Sequence, residues 1–382
     1  MSAGADFEAG KQAYLDGRLD AAETELRAHL AARPGHFDSM VYLARTLDGL
    51  ARFDDAIALY RQALAATPDH AATHLLLAQA LLATGRYAEG WREYEWRNRG
   101  EGGAPFPNIE APRWHGEALD GRTVLIVGEQ GFGDVIQFAR FLSRVKARGG
   151  RVSMAVSRPL AALFNDHPAI DHLFTDWHRV GAFDCYCPLS SLPEALEIDA
   201  DDLPGEVPYI AADERRAKRW ARRLGPAERR RIGLCWAGRP THPNDRNRSL
   251  PFETLRARLP ADADLVSLQT GGRGDDLSEV AILDVTERLH DFAETAALIA
   301  NLDLVVSVDT SVVHLAGAMG KPVHVLLPFV ADCRWGRKGD STPWYPSARL
   351  FRQDAPGDWA SALVGAFEPG CYKSYPAMAA RV

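Results

Sequence analysis

Six residues, Gly17-Arg18-Leu19-Asp20-Ala21-Ala22, are followed 34 positions later by Ala51-Arg52-Phe53-Asp54-Asp55-Ala56, and after another 34 by Gly85-Arg86-Tyr87-Ala88-Glu89-Gly90. Pro34 and Pro68 keep the same period. This period limits the fold more than any other feature, because one such unit is too small to bury its own apolar face and must stack on the next. Within a unit, apolar residues recur at helical spacing: Val41, Leu43, Ala44 and Leu47 before the turn, then Ala56, Ile57, Leu59, Tyr60, Ala63 and Leu64 after it. Each proline stands where a missing N–H and a ring clash stop a helix. The expected unit is a helix, a tight turn and a second helix.

Three registers in phase over about residues 5–100 resemble the tetratricopeptide repeat family. The resemblance implies a short α-helical solenoid whose concave groove holds a peptide or partner protein; the alternative is that the helices only pack against the rest of the chain. Trp91, Tyr94 and Trp96 are expected to seal the open end of the solenoid against the next domain, with ligand binding as the other reading. After them, Gly100-Glu101-Gly102-Gly103-Ala104-Pro105-Phe106-Pro107 reads as a linker, which sets the repeat domain at 1–105.

The rest is long enough for further domains, since 382 residues at ~100–200 per domain make two or three. Forty-four basic against 51 acidic side chains leave a formal charge of −7, which argues against a general nucleic-acid binder. Cys185, Cys187, Cys235, Cys333 and Cys371 show no CxxC spacing and are expected to be reduced thiols. At the N-terminus no basic segment leads into an apolar one, and nowhere do ~18 apolar residues run together. No transmembrane segment is expected, and the expected location is cytoplasmic.

From Thr123 short β-rich runs alternate with helical stretches, the pattern of parallel sheets covered by helices. Strands are expected at 123–127, 152–156, 171–174 and 184–187 in one half (106–225), and at 231–236, 264–269, 282–285, 302–308 and 322–327 in another (226–355), where the run at 322–327 completes the sheet. An Arg-rich helix over 213–224 reads as a solvated face or a phosphate patch. Asp291 is placed to cap the next helix, with Glu294 reaching back to it as in a capping box. A last helix within 356–382, around Trp359–Val364, is expected to cross back to the first half, followed by a loose tail beyond Gly370. The expected architecture is α plus α/β: a solenoid, then two doubly wound halves facing a cleft.

Three motifs carry chemistry. In Gly128-Glu129-Gln130-Gly131-Phe132-Gly133-Asp134-Val135-Ile136-Gln137, glycines joining a strand to a helix let the backbone approach a ligand. The spacing fits neither the dinucleotide fingerprint nor a P-loop. Gly131, Gly133 and Gln137 are candidate binding residues, and Asp134 is either a proton acceptor or an N-cap. The second motif, Leu304 to Pro322, runs from a buried strand into a helix whose first turn carries Asp309, Thr310 and Ser311, with His314 one turn on. That start can seat a diphosphate, although Thr and Ser are also ordinary caps and His314 reads equally as a core residue. The third, Trp236 to Pro251, is a polar loop suited to wrapping a phosphate with Arg246 or Arg248, with Trp236 a further candidate for binding the nucleotide; solvated loop charges are the competing account.

Together the Gly-Phe-Gly-Asp-Val turn, the loop closing in Arg248-Ser249-Leu250-Pro251, and Val308-Asp309-Thr310-Ser311-Val312-Val313-His314-Leu315-Ala316-Gly317-Ala318-Met319-Gly320-Lys321-Pro322-Val323 resemble the heptosyltransferase-type glycosyltransferases of family nine, over about residues 120–355. The resemblance implies the two-Rossmann GT-B fold and an enzyme using a nucleotide-diphosphate sugar, with no cofactor and no metal. It places the catalytic aspartate on Asp134, the diphosphate seat on Asp309, Thr310, Ser311 and His314, and Gln269 near the nucleoside. The family's phosphate-neutralising lysine falls near Arg248, a departure that keeps the charge and changes the donor geometry. Two Asp-x-Asp triplets, Asp199–Asp201 and Asp262–Asp264, do not fall at the ligand-binding ends of strands. The implied reaction is an inverting displacement with Asp134 as base. The repeats depart from the lipopolysaccharide enzymes and resemble protein O-glycosyltransferases with a repeat array, which implies a protein acceptor. A non-catalytic scaffold and a transferase acting on a lipid-linked saccharide are the alternatives.

Overall fold

The computed structural model describes residues 6–99, 109–129, 131–203, 207–242, 244–271 and 277–367. The linker expected at 100–107, Gln130, Pro243, Cys371 and the tail expected beyond Gly370 lie outside these residues. Two compact units result. The first gathers the described residues before 100 with Glu197–Ala200 and Asp332–Lys338; the second holds 109–196, 201–331 and 339–367.

The first unit contains α1 (Phe7–Leu15), α2 (Leu19–Ala32), α3 (Phe37–Gly49), α4 (Phe53–Ala66), α5 (Ala71–Ala83) and α6 (Tyr87–Tyr94), three helix–turn–helix repeats as the period requires. The turn residues Gly17, Ala51 and Gly85 have φ of 77°, 59° and 81°. This left-handed conformation suits glycine, and Ala51 holds it with a Cβ in place. Leu26, Met40, Leu43, Leu47, Ala56 and Tyr60 interlock in the core. Neighbouring repeats are also tied by ion pairs, Arg52 to Glu23 at 2.7 Å and Arg61 to Glu89 at 2.6 Å. Trp91 is buried edge-on to Tyr94, and Trp96 stacks on His74 with centroids 3.9 Å apart, so this aromatic cluster closes on the array's own helices.

Residues from far along the chain complete the unit. Arg337 donates to both oxygens of Asp48 at 3.4 Å and lies 5.1 Å from the centre of the Phe53 ring. Burial still raises Asp48 above the usual carboxylate range. Burial, with Cys333 and Asp199 nearby, pushes Tyr87 up to about 12. On α1 and α3, the Arg45 guanidinium sits 4.8 Å from the Tyr14 ring centre and 5.3 Å from that of Tyr42, and Lys11 lies 5.7 Å from that of Phe7.

The second unit has two parallel sheets. β1 (Thr123–Val127), β2 (Arg151–Ala155), β3 (His172–Phe174) and β4 (Cys185–Pro188) lie in the order β3-β2-β1-β4, with helices α7 (Phe132–Phe138), α8 (Leu142–Lys146), α9 (Arg158–Phe164), α10 (Leu192–Ala195) and α11 (Glu214–Leu224). β5 (Arg230–Cys235), β6 (Ala263–Ser267), β7 (Ile282–Asp284), β8 (Leu304–Val308), β9 (Val323–Leu327) and β10 (Ala348–Arg352) lie in the order β10-β9-β8-β5-β6-β7. Their helices are α12 (Asp245–Arg248), α13 (Phe252–Arg256), α14 (Phe292–Ile299), α15 (Ser311–Ala318) and α16 (Trp359–Ala366). This is the GT-B-like architecture. Strand order reverses beside β1 in one sheet and beside β5 in the other, and such switch points open crevices at the strands' C-terminal ends.

Three local expectations are corrected. The second sheet does not end at 322–327: β10 adds a sixth strand, whose Arg349 and Arg352 at the sheet edge break the apolar run that marks an interior strand. α16 does not cross to the first half. Its Trp359, Ala362, Leu363 and Ala366 join the core under β5, β8 and β9 with Ile232, Val306 and Leu326. Asp291 does cap α14, accepting from Glu294 N at 2.7 Å, but the Glu294 carboxylate binds Arg216, Arg219 and the Trp220 indole N–H at 2.8–3.0 Å. Two guanidinium charges outbid a neutral backbone N–H.

His324 in β9 is fully buried, with Nδ1 2.8 Å from the Ala366 carbonyl, and burial lowers its pKa to about 4. Its folded pKa lies below the unfolded value, so the unfolded chain binds the proton first. Stability is full above pH ~6.5 and falls as pH drops toward about 4, by on the order of 3 kcal/mol. Urea melts from pH 7 to 4 should follow this slope, and His324→Gln should flatten it.

Candidate active site

Each half sends one helix start into the crevice. After β1 the chain turns at Gly131, which is the N-cap of α7, so Asp134 is the third helical residue and not the cap. A Cβ at Gly131 would lie 3.1 Å from Asp134 Oδ2, which places the carboxylate back over the start of its own helix. After β8, Thr310 caps α15: its hydroxyl accepts from Val312 N at 3.3 Å and pairs with Ser307 Oγ at 3.1 Å. The helix start thus has its hydroxyls and first amides in place for an anion.

The two starts meet. A Cβ at Gly133 would fall 2.7 Å from His314 Cδ2 and 3.5 Å from the Ser311 Cα, so only a glycine permits this approach of α7 to α15. His314 cannot yield easily, being 3% exposed with Nδ1 bonded to the Tyr345 hydroxyl at 2.9 Å. Gly133→Ala should therefore part the two helix starts and lower stability by about 1–3 kcal/mol, which thermal melts read.

Arg248, at the end of α12, reaches the same place. Its Nη1 donates to the Asp309 carbonyl at 3.2 Å, and its Nε lies 4.0 Å from Asp245 Oδ1, with no hydrogen-bond partner among the described residues. A Cβ at Gly238 would come 2.5 Å from Arg248 Nη2, so this glycine gives the guanidinium its bed. The loop is locked around it: Gly238 N donates to Ser249 Oγ at 3.0 Å, Ser249 to Asp245 at 2.8 Å, and Leu250 N to the Trp236 carbonyl at 2.8 Å.

The remaining candidates divide. Asp309, Thr310 and Ser311 are partly exposed at the start of α15. The Gln269 carbonyl accepts from Trp236 N at 3.0 Å and Ala237 N at 2.8 Å, while its amide donates to the Ala237 carbonyl at 3.0 Å, so its side chain shapes the loop after β5. The Trp236 indole is buried against Phe252, and Gln137 is 1% exposed inside α7. Arg246 is exposed on the outer side of α12. The sequence did not single out Phe132, whose ring meets Phe292 of the opposite half at 5.1 Å and Arg239 at 5.7 Å, or the Glu129–Ser190 hydrogen bond at the β1 end. The large aromatic in an otherwise glycine-rich turn was the available signal. Among the described residues, no group of three or more His, Cys, Asp or Glu is arranged to hold a metal ion. No described helix is long and apolar enough to cross a membrane.

Residues 279–337 match the model of glycosyltransferase family 9 (heptosyltransferase), and residues 49–90 match a tetratricopeptide repeat model. These matches support a sugar transferase that carries tetratricopeptide repeats. The chain is 29% identical over 321 residues to the protein FlbA of Caulobacter vibrioides, covering 75% of this chain and 52% of that one, so it spans about half the length of this curated relative. Among solved structures, a glycosyl transferase of family 9 from Veillonella parvula covers 67% of this chain and 93% of its own, with a TM-score of 0.49 and 12% identity. The ADP-heptose lipopolysaccharide heptosyltransferase II of E. coli covers 63% and 93%, with a TM-score of 0.46 and 14% identity.

Proposed function

We propose that this protein transfers a sugar from a nucleotide-diphosphate donor to an acceptor protein recruited by the repeat unit, with inversion at the anomeric carbon. The observation that supports it most is the meeting of α7 and α15 across Gly133, with Arg248 at the same helix start. The diphosphate occupies the start of α15 beside Arg248. An acceptor hydroxyl attacks the anomeric carbon from the α7 side as the bond to the diphosphate oxygen breaks, and Asp134 takes the hydroxyl proton. The guanidinium and the first amides of α15 stabilise the charge that develops on the leaving diphosphate, and no metal is required for that task.

Acceptor choice falls to the repeats, where Lys11 and Arg45 lie against the rings of Phe7, Tyr14 and Tyr42. The test incubates the full chain with a panel of nucleotide sugars, first alone and then with cell extract. Slow release of free sugar without acceptor, and labelling of protein in the extract, are expected. Arg45→Glu should remove the protein labelling and spare the release. Binding without any turnover would mark the chain as a scaffold, and labelling confined to lipid-linked saccharide would overturn the protein acceptor.

A further inference from the structure

By sequence α7 belongs to the first half, yet it is tied to the second half near both of its ends. At its start, Gly133 lies against His314. In its last turn, the Tyr209 hydroxyl donates to the Ile136 carbonyl at 3.1 Å, with the Gln137 carbonyl 3.4 Å away. Tyr209 stands in the stretch of chain that leads from the first sheet to the second, and its backbone is anchored on α15: Tyr209 N and Ile210 N both donate to the Ala318 carbonyl, at 3.0 and 3.3 Å. One residue thus reaches the last turns of both helices whose starts meet in the crevice, where helix carbonyls run short of donors of their own.

A second tie lies beside the first. Arg140, two residues past α7 and 7% exposed, donates from Nη1 to the Trp344 carbonyl ahead of β10 at 2.6 Å. Its guanidinium lies 5.6 Å from the centre of the Tyr209 ring and 5.5 Å from that of Trp344. A cation taken out of water and packed against two aromatic rings has little freedom to move.

Asp134 is carried between these ties. The Gly133 contact alone would leave so short a helix free to turn about its axis, and a group ~5–6 Å from that axis moves ~1 Å for a turn of about 10°. A displacement of that size can cost about a hundredfold in rate when it parts a catalytic group from the atom it serves.

We infer that Tyr209 is a positioning residue, seconded by Arg140: by joining the ends of α7 and α15 it fixes Asp134 against the start of α15. The inference rests on the proposed reading of Asp134 as base and of that helix start as the diphosphate seat. Tyr209 acts through the two helices and not on the reacting atoms.

The test compares the full chain with Tyr209→Phe, which keeps the ring and the backbone bonds to Ala318 and removes only the hydroxyl, and with Arg140→Met, which keeps the stem and removes the guanidinium. Hydrogen exchange read by mass spectrometry should quicken about fivefold in peptides from 132–141 and 311–319, as for the loss of one hydrogen bond, while peptides from 7–94 keep the wild-type rate. With the nucleotide sugar that the wild type turns over fastest, kcat should fall about tenfold in Tyr209→Phe. Affinity for ADP and UDP should stay within about twofold, because Arg248 and the first amides of α15 are untouched. Exchange unmoved in both variants overturns the inference. So does a wild-type kcat, or a fall in affinity as large as the fall in rate, which marks a merely structural role. Should Tyr209→Phe not fold, Arg140→Met decides by the same readings. If exchange responds as stated while the wild type turns over no nucleotide sugar, the tie between the helices stands and the transferase reading falls.

Discussion

Asp134→Asn is expected to lower the rate of sugar transfer at saturating donor by about 10²–10⁴-fold, the range for losing a positioned general base. Asparagine matches aspartate in shape and keeps an oxygen over the first turn of α7, so any part the side chain plays in holding that helix start survives. What disappears, on the proposed mechanism, is the capacity to take the acceptor's proton. Donor affinity and melting temperature should therefore stay close to wild type while turnover collapses. Single-turnover rates with bound donor make the distinction, and transfer at the wild-type rate would remove Asp134 from the chemistry.

Arg248→Ala should act on the donor. The guanidinium is one-sided: Nη1 is fixed on the Asp309 carbonyl before α15, Asp245 stands 4.0 Å from Nε, and the fork rests on Gly238 in the loop after β5. Removing one member of a desolvated charge pair costs about 2–5 kcal/mol, so nucleoside diphosphate affinity should fall by at least about 30-fold. Arg248→Lys should recover part of the loss, because it returns the charge without the two-pronged geometry. Calorimetric titration with a nucleoside diphosphate reads both variants, and an unchanged affinity in Arg248→Ala would place the diphosphate elsewhere.

Much of this architecture was legible because it is written in short-range patterns. The 34-residue period sets the repeats, and short, mostly apolar runs mark the interior strands β1, β5, β8 and β9. β10 was hidden for the opposite reason, as an edge strand keeps arginines. In the site, the two helix starts could be read because a glycine-rich turn or a capping hydroxyl after a strand marks where a helix begins. Side-chain partners chosen across long sequence gaps could not. Gln269 binds backbone 32–33 residues away, Glu294 prefers Arg216 to its own helix start, and Tyr345 finds His314 from 31 residues off. Such choices depend on which groups the fold brings together, and periodicity carries no record of them.

The ion pair between Arg337 and Asp48 bears on how this chain can be cut. A fragment stopping at residue 107 lacks the piece that neutralises a half-buried carboxylate and covers the face of Phe53. Removing the first hundred residues, conversely, strips Asp332–Lys338 of its neighbours in the repeat unit. Neither half of such a dissection is the molecule minus one function; each is a damaged body, and single substitutions on the intact polypeptide are the cleaner instrument.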